Sequence, residues 1–169
     1  MAKRSKLTFD LQELEELLKS FHLISNTRIA IFDDEFQKII AYPKEHLQYC
    51  QILREGKNIK EECKKNDLWG CKCCKEKRDV FQYTCHAGLQ EVVLPLWDGD
   101  IIIGYLMLGQ IVLKKDNESA EERWQTLKTR AEQYHIDVEN SIAGMNPSPR
   151  YQRICWKLIS KLWRCAQVI

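Results

Sequence analysis

The stretch Val92-Val-Leu-Pro-Leu96, Asp98-Gly99, Ile101 to Leu113 reads as two β-strands folded back on each other. An Asp-Gly pair set between β-prone runs is a strong short-range hairpin signal. Upstream, Val80-Phe-Gln-Tyr83 supplies a third strand. Two further β-prone runs, Arg28-Ile-Ala-Ile-Phe32 and Phe36-Gln-Lys-Ile-Ile-Ala41, flank the polar turn Asp33-Asp34-Glu35, and Pro43 closes the second of them. Together these five runs predict a five-stranded antiparallel sheet.

Helical patterns surround the strands. Leu11, Leu14, Leu17, Leu18 and Phe21 recur at helical spacing behind Asp10 and Glu13, a pair that resembles a capping box. A short helix is expected over His46 to Arg54. Another starts after Asn58, with Asn58 as N-cap and Glu61 three residues on, and Trp69-Gly70 is a place where it would break. Glu118 to Tyr134 is helical by composition. A last helix should begin at Ser148-Pro149, a serine cap followed by proline at the first helical position. Along it, Tyr151, Cys155, Leu158, Leu162, Cys165 and Ile169 alternate in steps of four and three. That is the seam spacing of a coiled coil, or equally of a helix packed on its own sheet.

The order of elements is helix, two strands, a helical insertion, three strands and two helices. It is the order of PAS-like and GAF-like sensor folds, which are cups for small ligands. The fold class expected is therefore α+β: a PAS/GAF-like sheet with flanking helices and a long C-terminal dimerisation helix. The organisation read from the chain is an N-terminal helix over 1–27, a sensory domain over 28–145, and a linker and coiled-coil helix over 146–169.

Composition sets the class. The chain has 169 residues, 44% of them hydrophobic and 30% charged, with 26 Lys+Arg against 24 Asp+Glu and a formal charge of +2. A chain of this length buries roughly 68–70% of its unfolded surface, enough for a core without disulfides. The near-neutral balance argues against a dedicated nucleic-acid binder. The longest charge-free stretch, Ile101 to Leu113, is shorter than the ~20 apolar residues that cross a bilayer. The basic start, Met1 to Lys6, runs into Asp10, Glu13, Glu15 and Glu16 rather than an apolar segment, so no secretory signal is expected. The reading is a cytoplasmic protein without membrane contact.

Cytoplasmic cysteines favour metal ligation, redox sensing or burial over disulfides. Six of the eight, Cys50, Cys63, Cys71, Cys73, Cys74 and Cys85, lie in one region. A tetrahedral zinc or an iron–sulfur cluster needs about four converging thiolate or imidazole ligands. In a continuous helix Cys63 and Cys74 would lie ~16 Å apart, at ~1.5 Å per residue. Both reach one centre only if the helix breaks, and Gly70 is the place for that. All-cysteine ligation suits zinc and an iron–sulfur cluster alike.

Tyr49-Cys-Gln-Ile-Leu-Arg54, Cys63 with Asp67, Tyr83-Thr-Cys-His-Ala-Gly-Leu89, Pro95 and Gly104 through Gly109-Gln110 together resemble the PocR sensory domain, over about Arg28 to Leu113. The resemblance implies a PAS-like domain that senses small organic molecules such as short diols, placed ahead of an AraC-type helix-turn-helix module in bacterial transcription regulators. A module of roughly 100 residues, a typical domain size, does not fit after the terminal helix. The expectation is thus a sensory fragment of a longer regulator that touches DNA only through a part absent from this chain. The resemblance carries Cys50, Cys63 and Cys85 onto matching positions. It also implies cysteines near positions 47 and 66, where this chain has Leu47 and Asn66, which leaves Cys71 or Cys74 as the fourth metal ligand.

Candidate effector-binding residues are Tyr83, His86, Glu91, Tyr105 and Gln110, polar groups set among apolar neighbours. Strand alternation places Tyr105, Met107 and Gly109 on one face of the last strand and Gly104, Leu106, Leu108 and Gln110 on the other, without saying which face is the cup. In an extended strand Cys85 and His86 would point to opposite faces, so a nucleophile–base pair is not expected. No catalytic motif stands out, and the chain is read as a non-enzyme. Three functions remain open. The first is a homodimeric effector sensor braced by a cysteine-held metal. The second is a redox or oxygen sensor using the cysteine centre itself. The third is a thiol enzyme using Cys50 or Cys71.

Overall fold

A computed structural model describes residues 10–112 and 118–136. The proposed terminal helix, with Cys155, Leu158, Leu162 and Cys165, lies outside the described residues, as do 137–145. In chain order the elements are α1 (Leu11–Ser25), β1 (Arg28–Asp33), β2 (Lys38–Tyr42), α2 (Gln48–Leu53), α3 (Ile59–Lys77), β3 (Phe81–Thr84), β4 (Gln90–Asp98), β5 (Ile101–Ile111) and α4 (Ala120–Glu132). The strands form one antiparallel sheet in the order β2-β1-β5-β4-β3. The hairpin of β4 and β5 lies inside that sheet. Its two loop residues are Gly99 and Asp100, and Gly99 takes φ +55°, the left-handed conformation that glycine adopts without steric cost.

Sequence explains most helix ends. Asp10 caps α1 by accepting from the backbone of Gln12 and Glu13. Ser119 and Glu122 form a reciprocal capping box at the start of α4. Asn58 does not cap α3 with its side chain. It sits at φ 67° and its backbone carbonyl accepts from Glu61 and Glu62 instead.

α3 runs unbroken through Trp69 and Gly70, correcting the expected break. A Cβ at Gly70 would stand 2.4 Å from Cε1 of Tyr83, so the glycine lets the helix backbone approach a ring of β3. Close packing, and not chain reversal, is what this position supplies.

The two sheet faces are covered differently. Leu18 of α1 packs on Ile29, Ile31, Val92, Leu94 and Leu108, a wholly apolar layer. The other face carries Ala30, Phe32, Tyr83, Val93, Tyr105 and Met107, against which α3 lays Cys71 and Cys74. A third cluster joins α2 and α4 through Tyr49, Leu53, Leu89, Leu127 and Ala131. This is the α+β, PAS/GAF-like arrangement the sequence leads one to expect. Among the described residues no helix is long and apolar enough to cross a membrane.

Candidate functional site

The face under α3 is not packed along its whole length. Between its start and the end of β5 lies a cavity with an internal volume of about 50 Å³. Roughly 10–15 Å³ of such volume holds one water, so this is room for a small solute and little more.

Its wall depends on a bulge in the sheet. Val92 pairs with Leu108 and Gln90 with Ile111, so Glu91 faces both Gly109 and Gln110. The extra residue is taken up by Gln110 at φ 61°, which turns its side chain onto the cavity face although simple alternation assigns it to the other. Gly109 supplies the space: a Cβ there would overlap the Glu91 carboxylate. Glu91 Oε1 accepts from the Gln110 backbone N–H at 3.1 Å. The Gln110 side chain accepts from Leu47 N at 2.6 Å and reaches His46 Nδ1 at 2.6 Å. One strained residue thus ties β4, β5 and the entry to α2 together.

α2, α3 and the turn after β3 complete the enclosure. Tyr49, fully buried, directs its hydroxyl at the carbonyl oxygens of Ala87 (2.9 Å) and Leu127 (3.0 Å), which fixes α2 between that turn and α4. Cys50 from α2, Cys63, Asn66 and Asp67 from α3, and Cys85 and His86 from the turn line the cavity. β3 ends at Thr84, so Cys85 and His86 are not in extended strand and both face inward, against the opposite-face expectation. His86 pairs not with Cys85 but with Cys63, Nε2 to Sγ 3.3 Å, while its Nδ1 meets the Tyr134 hydroxyl at 2.9 Å. Asn66 Oδ1 accepts from the His86 backbone at 3.0 Å.

Electrostatics follow from burial. Glu91 is 8% exposed, and loss of water pushes its carboxyl up to about 8. Burial raises Asp67 as well. His46 is driven down to about 4 by desolvation and by the nearby charges of Arg28, Arg54 and Lys38, leaving a neutral imidazole at pH 7. Desolvation also raises the thiols of Cys50, Cys63 and Cys85, the last to about 12. A reactive thiolate needs the opposite shift.

Of the residues singled out in the sequence, His86, Glu91, Gln110, Cys50, Cys63 and Cys85 meet at the cavity. Tyr83 and Tyr105 do not. They belong to the packed end of the same face, where neither buried hydroxyl has a partner. Cys71 and Cys74, fully buried, lie with them, the Cys74 sulfur 3.6 Å from Val93 O. The unbroken helix therefore separates the two cysteine groups. Among the described residues, no three His, Cys, Asp or Glu side chains converge into a group that could hold a metal ion. As they stand, these residues do not fit a four-ligand zinc or iron–sulfur centre. Arg28, Lys38, Arg54, His46 and Asn66 were not anticipated as lining residues. The signal for Asn66 was present, since Ile59, Cys63, Asn66, Asp67, Gly70, Cys71 and Cys74 form a helical stripe.

The fold defines a class, the α+β modules built on a single five-stranded antiparallel sheet. The chain belongs to the PocR sensory-domain family: the family model described as "Sensory domain found in PocR" matches residues 8–164. It is 26% identical over 102 residues to the Regulatory protein PocR of Salmonella typhimurium, covering 57% of this chain and 32% of that protein. The chain thus spans about a third of the length of that curated relative. It is also similar, at 16% identity and a TM-score of 0.42, to the structure of a GAF domain/HD domain protein from Geobacter sulfurreducens, over 78% of this chain and 95% of that one.

Proposed function

We propose that this chain is the effector-binding input of a bacterial transcription regulator, and that the cavity between α3 and β5 receives a small organic molecule. The observation that carries the reading is a partly open cavity on an otherwise packed sheet face, lined by convergent polar groups and built by a strained residue, Gln110, and a glycine, Gly109. Sites for small molecules have this composition. The module acts by binding and not by catalysis, since burial raises the thiols of Cys50, Cys63 and Cys85 away from reactivity. Output passes through a homodimer formed by the terminal helix, and DNA is contacted by a helix-turn-helix module in the longer regulator. A bistable helix pair can turn a small change in a pocket into a change in domain spacing.

The test is thermal unfolding of the 169-residue chain with a panel of two- to four-carbon diols, hydroxy acids and carboxylates. One class should raise the midpoint saturably, and Ala30→Leu, which fills the cavity floor, should abolish the effect. No stabilisation by any member, or stabilisation that persists in Ala30→Leu, overturns the reading.

A further inference from the structure

Three cationic side chains, Arg28 from β1, Lys38 from β2 and Arg54 from the end of α2, line the same cavity. Loss of water and the Arg54 charge lower the pKa of Arg28, and loss of water with the Arg28 and Arg54 charges lowers that of Lys38, so the three charges are electrostatic neighbours. The Nε atoms of Arg28 and Arg54 are buried without a hydrogen-bond partner. Among the described residues no ion pair within 4.0 Å joins any of the three to an acid. The acids on the wall are Glu91 and Asp67, and Asp67, raised by burial and pulled back by Lys38, Arg54 and Arg28, is one carboxyl against three cations. Glu91 is committed to the Gln110 backbone and, buried, keeps its proton at neutral pH.

Two half-buried guanidiniums, each with an Nε–H that is buried and unpartnered, stand beside the more exposed Lys38, and an anion completes such donors where a neutral solute leaves the charge unanswered. The planar fork of arginine matches a carboxylate with two parallel hydrogen bonds. Resting on the proposal that this cavity is the effector site, we infer that the effector is a carboxylate of two to four carbons whose carboxylate group lies against Arg28 and Arg54, with Lys38 beside it. The inner volume of about 50 Å³ matches the size of such a small acid. His86 and Asn66, which line the same cavity, are left to meet the rest of the molecule.

The experiment is calorimetric titration of the 169-residue chain at constant ionic strength with propionate, lactate, propionamide, propane-1,2-diol and inorganic phosphate. A carboxylate should bind at least tenfold more tightly than the neutral compound of the same size. Arg28→Gln should weaken that binding at least tenfold while leaving the unliganded midpoint unchanged or raised, because it removes a half-buried charge that is set against two other cations. A purely structural Arg28 would lower that midpoint. Binding of propane-1,2-diol or propionamide as tight as that of the carboxylates, abolished by Ala30→Leu, overturns the inference and leaves the effector site standing. Binding of phosphate alone overturns the carboxylate. Binding of none of the five compounds overturns the inference, and the wider panel then decides the effector site separately. An unliganded midpoint lowered by Arg28→Gln, with affinity intact, also overturns it.

Discussion

The two halves of α3 meet the same sheet face with opposite chemistry. From Gly70 onward the inward stripe is glycine and thiol, and it closes on Tyr83, Val93 and Tyr105 with no space left. Before Gly70 the stripe is Cys63, Asn66 and Asp67, and the sheet opposite presents Glu91, Gly109 and Gln110 across a cavity. One continuous helix of 19 residues is both a packing element and a pocket wall. Side-chain size sets the difference: where residues are small the backbones approach, and where they are larger and polar a gap is kept open. The lesson is that a hollow is built in a sheet sandwich by local choices of a few residues, with the helix itself unperturbed.

The largest expected effect tests the hollow half. Glu91 has its pKa raised by folding, so the folded state binds that proton more tightly than the unfolded chain does. Its contribution to stability is complete below about 4.5, the reference value, and is lost as the pH rises through about 8. Chemical denaturation across that range should reveal a decline on the order of several kcal/mol. Glu91→Gln should flatten it, and an unchanged slope in that variant would place the titrating group elsewhere.

Next in size is the packed half. Gly70→Val drives a branched side chain into the Tyr83 ring and should cost about 1–3 kcal/mol, read from the denaturation midpoint. Effector affinity of the folded fraction should be unaffected, and a parallel loss of affinity would mean the halves are coupled.

Tyr49→Phe should cost about 1–2 kcal/mol, because it leaves the buried carbonyls of Ala87 and Leu127 without their shared donor. Hydrogen exchange at the turn after β3 should accelerate with it. Unchanged exchange there would show that α2 is held by apolar packing alone.

At the small end, the exposed pair of Lys64 with Glu61, 2.9 Å apart on the outer face of α3, should matter little. Lys64→Ala is expected to shift stability by less than about 0.5 kcal/mol. A larger loss would show that the helix depends on its solvent face more than on its inward stripe.

These contrasts also mark how far the sequence could be read. Strand alternation and the hairpin were legible because period-two patterning and turn chemistry are local, although the loop falls at Gly99-Asp100, one residue beyond the expected Asp98-Gly99. Five strands, their antiparallel pairing and the helices around them followed. His86, Glu91 and Gln110 were recognisable as candidates as polar groups among apolar neighbours, a pattern that a packed or solvent-facing side chain also produces, and only the cavity separates the two. Tyr83 and Tyr105 were misplaced because a phenol fits a packed core as well as a pocket wall. Arg28 and Lys38 escaped notice since a charge at a strand end normally faces water, and only the sheet order brings β1 and β2 over the cavity. Cys71 and Cys74 could join Cys63 only through a helix break at Gly70, and the continuous α3 keeps them apart. Gly70 carried the ambiguity: a glycine in a helix marks a break or a close approach, and only the ring of Tyr83 decides which.

The most direct test of the account is an amide and side-chain NMR titration of the isotope-labelled chain with propionate. The account predicts saturable shifts at Arg28, Lys38, Asn66, His86 and Gln110, with Cys71, Cys74 and Tyr105 unmoved. Shifts centred on the packed half of α3, or on the α1 face around Leu18, would contradict it.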